Sequence, residues 1–268
     1  MRNIRLDLEY DGTNYCGWQY QPNHPSLERT LKEAIERVVN HTITLYTSGR
    51  TDSGVHAEQH VAHFRSNTIL SHDNILRGVN SLTPRDIQIY YINDMPPAWS
   101  ARHDAREREY CYRIYNDKLP SVFWRTRSHW IREALDLDAM REAAALLEGH
   151  HDFNAFRSLH CDAEHAVRTI HCLELFDERP LILLRVVGNA FLRHQVRIMA
   201  GTLLEVGLGK RTPQNVKNAL ESKDRSQAGE TLPGCGLTLV SIKYSEDDER
   251  KSNIQPIAPL VRRSRPGE

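Results

Sequence analysis

Twice along this chain the residue pattern spells strand, helix, strand, strand, helix, strand, and no other feature restricts the fold as much. In the first half, residues 3–10 alternate as a strand, and Leu27, Leu31, Ala34, Ile35 and Val38 recur at helical spacing within residues 26–39. The β-branched stretch 42–47 and residues 58–64 read as strands, Ile75, Leu76 and Val79 mark a short helix, and residues 86–92 read as a fourth strand. The second half repeats the order. It offers a strand at 107–115, a helix at 138–147, and paired strands at 168–176 and 181–187 around Glu178-Arg179-Pro180. A long helix follows at 190–206, a shorter one at 212–220 with Pro213 in its first turn, and a closing strand at 237–244. This is the ferredoxin-like order. The expectation is an α+β fold of two ferredoxin-like (β-α-β-β-α-β) halves, their sheets meeting at a central cleft. Met95-Pro96-Pro97 interrupts regular structure, which divides the chain into halves at 1–97 and 98–246. Residues 247–268, charged and then proline-containing, read as a flexible tail.

Within the first half, the run Gly49-Arg50-Thr51-Asp52-Ser53-Gly54-Val55-His56-Ala57 places an arginine and a carboxylate two positions apart between glycines. Glycine reaches backbone conformations closed to other residues and lets a ligand approach the main chain. With strand-like flanks, Asp52 falls on a tight connection at a sheet edge. A lone Asp-Ser-Gly is ordinarily a turn whose aspartate bonds its own backbone, so the argument needs the whole run.

That run resembles the signature of the tRNA pseudouridine synthase A family, and the resemblance extends over residues 4–244. Upstream, Glu9-Tyr10-Asp11-Gly12 and Tyr15-Cys16-Gly17-Trp18-Gln19 are similar to the family's opening strand and loop. Downstream, Arg108-Glu109-Tyr110-Cys111-Tyr112, Asp152-Phe153-Asn154-Ala155-Phe156-Arg157 and Asn189-Ala190-Phe191-Leu192-Arg193-His194-Gln195-Val196-Arg197 follow in family order. One stretch departs: where the family commonly shows His-Ala-Arg-Phe-x-Ala, this chain has Ser100-Ala101-Arg102-His103-Asp104-Ala105.

The resemblance implies an isomerase that breaks the C1′–N1 glycosidic bond of a uridine, turns the uracil and rejoins it through C5. Such a reaction needs no cofactor, redox or otherwise, and no metal. It implies Asp52 as nucleophile and Tyr110 as the active-site tyrosine, stacking on the base and assisting removal of the C5 proton. Arg50 and Arg197 are two candidates to orient Asp52 or contact the backbone. A charge pair at about 4 Å is worth about 4 kcal/mol at an effective dielectric near 20, before desolvation offsets part of it. The implied substrate is the tRNA anticodon stem-loop at positions of about 38 to 40, where extruding a base from a stem end is least costly. The resemblance further implies a homodimer.

Lys plus Arg equal Asp plus Glu at 35 each, which argues against a generic nucleic-acid coat. Local clusters matter more. Arg102, Arg106 and Arg108 crowd together, as do Arg193 and Arg197 with His194 between them. These are the expected RNA-binding residues, reading shape through phosphates. Five cysteines without a Cys-x-x-Cys, and an N-terminus without an apolar leader stretch, point to a reduced, cytoplasmic protein.

Three rival readings are weaker. His56-Ala57-Glu58-Gln59-His60 carries histidines at i and i+4, but its glutamate is one place late for a His-Glu-x-x-His zinc helix and the segment reads as a strand. His63, and the group His160, Cys161, His165, His171 and Cys172, lack paired metal-ligand spacing. A glycosidase needs two flanking carboxylates, and only Asp52 is marked out. A noncatalytic tRNA-binding or folding protein on the same scaffold remains as the alternative, because a fold does not fix a function.

Overall fold

A computed structural model describes residues 1–159 and 161–245. The expected tail at 247–268, and His160 of the second histidine group, lie outside them. The first half folds as β1 (Arg2–Tyr10), α1 (Leu27–Val39), β2 (Leu45–Thr47), β3 (His56–Ser66), α2 (His72–Leu82) and β4 (Ile87–Met95). The second folds as β5 (Glu107–Asn116), β6 (His129–Ile131), α3 (Leu137–Ala145), β7 (Gly149–Asp152), β8 (Val167–Glu178), β9 (Leu181–Gly188), α4 (Gln195–Gly207), α5 (Pro213–Ser222) and β10 (Leu237–Lys243).

Local signals explain most boundaries. The stripe Leu27, Leu31, Ala34 and Ile35 is buried along α1, and Asn40 ends that helix in the left-handed region at φ 58°. Each fully buried leucine or isoleucine there contributes about 1.5–3 kcal/mol. Ser71 caps α2 by accepting from the Asn74 amide, and Asp136 caps α3 from the amides of Asp138 and Ala139. Thr212 and Asn215 form a reciprocal capping box around Pro213 at the start of α5.

Pairing then gives both halves the same sheet order. In the first, β1 lies between β4 and β3, and β2 pairs with β3 from Leu45↔Phe64 to Thr47↔Ala62. In the second, β5 lies between β10 and β9, and β8 follows β9. Each half is thus ordered fourth, first, third, second. The two sheets join edge to edge, because β10 runs parallel to β3 through Thr238↔His56 and Leu239↔Ala57. Among the described residues this makes one ten-stranded, mostly antiparallel sheet. Separate apolar cores lie on either side of the join, and Tyr110 is packed against both. A buried ionic latch crosses it: Arg113 donates to Glu58 at 2.8 Å and to Thr238 Oγ1 at 2.5 Å.

The edge of β3 is therefore shared. β10 takes its start, β2 takes its far end, and residues 48–55 cross the gap between them. Two glycines let that loop lie flat. At Gly17, φ is +99°, and a Cβ would stand 2.6 Å from the Thr51 carbonyl oxygen. At Gly234 a Cβ would stand 2.2 Å from the Ser53 carbonyl oxygen. Gly17→Ala is accordingly expected to cost about 1–3 kcal/mol of stability, readable by urea denaturation.

One expected helix is shorter than its apolar pattern. Residues 190–206 read as a single helix, whereas α4 begins only at Gln195, because His194 is left-handed at φ 64°. The Gln195 side chain turns back to accept from the Leu192 amide at 2.8 Å, and Ser158 N–H donates to the Arg193 carbonyl at 3.0 Å. Residues 189–194 are a loop that delivers the first turn of α4 to the join between the sheets.

Candidate active site

Asp52 stands on the loop between β2 and β3, about a quarter exposed, its carboxylate facing the start of α4. Arg197, in the first turn of that helix, donates from Nη1 to Asp52 Oδ2 at 3.0 Å, across 145 residues of sequence. Its Nε donates to the Leu232 carbonyl at 2.7 Å, which fixes the plane of the guanidinium. His194 Nε2 lies 3.6 Å from Asp52 Oδ1. Partial burial pushes the His194 imidazole below its ordinary value. Asp52 works against that shift, and the arginines 197, 193 and 225 add to it. The carboxylate therefore faces a fixed cation and an imidazole that is neutral at neutral pH, at the positive end of a helix.

Of the two arginine candidates, Arg197 makes the contact. Arg50 is exposed and forms no ion pair with Asp52 among the described residues. Local geometry explains the difference. Thr51, between them, is buried at 7% exposure and points inward, which turns Arg50 outward on the loop. Arg197→Lys keeps the charge, but one ammonium cannot reproduce the fork that bonds Leu232 and Asp52 together. On the activity that the sequence resemblance implies, a fall in kcat of about 10- to 100-fold with little change in tRNA affinity is expected from steady-state kinetics.

Tyr110 is on β5, one strand from Leu239 and two from Ala57 in register. Its hydroxyl is near enough to Asp52 for the carboxylate's charge to act on it. Phe191 meets that ring edge-on, with centroids 5.1 Å apart and planes at 85°. Burial pushes the Tyr110 hydroxyl up to about 12. Arg108 pulls it the other way and Asp52 adds to the rise.

The expected RNA-binding arginines divide. Arg102, Arg106 and Arg193 are exposed. Arg108 is not: its two terminal nitrogens donate to the carbonyls of Ala105, Asn189, Ser48 and Arg102 at 2.7–3.3 Å. Its guanidinium is spent on binding the Asp52 loop, the Asn189 loop and the 102–105 turn together. The departing stretch at 100–105 is ordered by its own polar residues. Ser100 N–H donates to Asp104 Oδ2 at 2.7 Å, the Ala101 amide donates to His63 Nδ1 at 3.3 Å, and Tyr244 donates to the Ala101 carbonyl at 2.7 Å.

The histidines that suggested a metal are committed elsewhere. His56 accepts from the Gly12 amide at 3.1 Å, and its Nε2 lies 2.8 Å from the Thr126 carbonyl. His63 stacks on Tyr46 with centroids 4.9 Å apart. His60 stacks on Trp18 at 3.9 Å.

This geometry can be set beside known proteins. The family model described as tRNA pseudouridine synthase matches residues 8–104 and 143–245, which take in the Asp52 loop and the first turn of α4 but not β5 with Tyr110. The chain belongs to the tRNA pseudouridine synthase family. Members of that family isomerise uridine to pseudouridine in tRNA. The curated tRNA pseudouridine synthase A of Pelobacter propionicus is 43% identical over 244 residues, covering 91% of this chain and 100% of the relative. That of Alcanivorax borkumensis is 41% identical over 247 residues, covering 92% of each. A solved Cbf5-Nop10-Gar1 complex aligns with 90% of this chain and 59% of its own at a TM-score of 0.35 and 14% identity, too loosely to carry weight. Sequence reasoning left two residues around Asp52 and Tyr110 unmarked and placed a third, His194, among the RNA contacts. His194 was expected to hold RNA and stands beside the carboxylate. Phe191 and Gly234 were unmarked, although Phe191 lies in the motif that supplied Arg197.

Proposed function

We propose that this protein isomerises uridines of the tRNA anticodon stem-loop, at positions of about 38 to 40, with Asp52 as nucleophile. The observation that carries the reading is the 3.0 Å pairing of Asp52 with Arg197 beside the ring of Tyr110. Arg197 aims the carboxylate and keeps it from turning toward bulk water. Tyr110 offers a ring face for the extruded uracil, worth about 1–3 kcal/mol per stacked base. The step balances: the C1′–N1 bond breaks and a C1′–C5 bond forms, C5 gives its proton to solvent, and N1 takes one from solvent. Arg50, exposed on the nucleophile's own loop, faces the RNA, and exposed Arg102, Arg106 and Arg193 extend the positive surface on which phosphates rest.

On this reading the half at 1–97 supplies the nucleophile and the half at 98–246 supplies Tyr110, His194 and Arg197. The working form is a cytoplasmic homodimer acting on tRNA. No helix among the described residues is long and apolar enough to cross a membrane. The deciding experiment is tritium release from transcribed tRNA carrying uridine labelled at C5. Release by the wild type and none by Asp52→Asn supports the proposal. Tight tRNA binding without release by the wild type supports the noncatalytic alternative.

A further inference from the structure

Behind the Asp52 loop, on the side away from the exposed carboxylate, lies a buried polar cluster that the site above does not use. It joins Tyr10 of β1, Thr47 of β2, Thr51 of the loop and His60 of β3. Tyr10 is 4% exposed, Thr51 7% and His60 0%. Burying such groups is costly unless their hydrogen bonds are made. Here the bonds form one chain. Thr51 Oγ1 is 2.7 Å from Tyr10 Oη, Tyr10 Oη is 3.3 Å from His60 Nδ1, and His60 Nε2 is 2.6 Å from Thr47 Oγ1. Thr47 Oγ1 in turn lies 2.7 Å from the Gly49 carbonyl.

Counting protons fixes the direction of every bond. A carbonyl only accepts, so Thr47 gives its single hydroxyl proton to Gly49, and His60 Nε2–H must donate to Thr47. Burial holds His60 neutral, its value pushed down to about 3, so Nδ1 carries no proton and accepts from Tyr10. The Tyr10 proton is then used, and Thr51 must donate to the Tyr10 oxygen. Trp18 completes the frame. Its indole lies on the His60 ring at an interplanar angle of 13°, and its amide donates to the Thr51 carbonyl at 3.0 Å. The chain thus holds the loop at residues 47, 49 and 51, on alternate positions, while Arg50 and Asp52 face outward.

We infer that Tyr10 and His60 are positioning residues for Asp52, acting through Thr51 and Gly49. The inference rests on the reading of Asp52 as nucleophile. Apolar packing would bury the loop equally well, but it would not fix the loop's rotation about its own axis. A one-way series of directed bonds does. That rotation decides where the Asp52 carboxylate points, and a displacement of about 1 Å at a reacting group costs about 100-fold in rate.

The test uses Thr51→Val, which keeps the shape and loses the hydroxyl, Thr51→Ser, which keeps the hydroxyl, and Tyr10→Phe. Each is assayed for single-turnover tritium release, tRNA affinity and thermal melting, beside wild type and Asp52→Asn. Thr51→Val and Tyr10→Phe are expected to slow the chemical step about 10- to 100-fold. Their tRNA affinity should stay within about 3-fold of wild type, and Thr51→Ser should recover most of the rate, because it restores the lost donor. A Thr51→Val enzyme as fast as wild type overturns the inference. So does a serine variant as slow as valine, or a loss of rate that merely tracks lost affinity and melting temperature. Wild type without release, or an active Asp52→Asn, removes the underlying reading instead. Inactive Asp52→Asn beside fully active Thr51→Val removes this inference alone.

Discussion

Asp52→Asn is expected to lower the single-turnover rate of pseudouridine formation by about 10⁴-fold or more, the scale seen when an enzyme loses its nucleophile. The substitution keeps shape and removes charge. The amide oxygen can still accept from Arg197, whose other bond to the Leu232 carbonyl persists, so the first turn of α4 stays where it is. The loop also retains its anchors: Trp18 N–H to the Thr51 carbonyl at 3.0 Å and Val55 N–H to the Asp52 carbonyl at 3.2 Å. Melting temperature should change little, and tRNA affinity should stay within about 3-fold, because phosphate contacts dominate nucleic-acid affinity in general. Tritium release and filter binding, run side by side, check both halves of the expectation. Activity within tenfold of wild type would remove Asp52 from its role.

Tyr110→Phe is the second large effect, expected at about 10²-fold or more in kcat with KM nearly unchanged, the size of a lost acid–base group. The phenylalanine ring keeps its edge-on contact with Phe191 and its place against both cores, so stacking on uracil survives. Only the hydroxyl is lost. Burial has pushed that hydroxyl up to about 12, so it holds its proton throughout the neutral range. On the proposed reading it takes part in removing the C5 proton only once the detached base is seated against it. In the variant, C5 deprotonation becomes the slow step, and a primary isotope effect should emerge with uridine deuterated at C5. A variant with the wild-type rate and no isotope effect would reduce Tyr110 to a stacking surface.

Local features of this molecule were legible and cross-chain features were not. The helical stripe of α1 and the capping residues of α5 act within a few positions, so sequence alone places those elements closely. The Asp52 loop was legible because Gly49 and Gly54 bracket it. The choice between Arg50 and Arg197 was not, since it turns on an approach between residues 145 apart. Residues 190–194 misled because Ala190, Phe191 and Leu192 continue an apolar rhythm, while the left-handed turn at His194 is enforced by Gln195 and by Ser158 on another segment. His60 resembled a metal ligand for a related reason. A buried histidine declares its purpose only through its neighbours, and Tyr10, Trp18 and Thr47 come from three other parts of the chain. The four carbonyl partners of Arg108 were equally invisible, because Ser48 and Asn189 lie far from it along the chain.

The two-residue seam between β3 and β10 also sets a schedule. Of the described strands, β10 leaves the ribosome last, and it is the strand through which the sheet of the Asp52 half pairs with the sheet of the half bearing Arg197 and Tyr110. During synthesis the first half can complete its own four-strand sheet early and expose Asp52 without the cation that aims it. A chain ending before residue 237 lacks the strand through which the two sheets pair, so loss of RNA modification is its expected result.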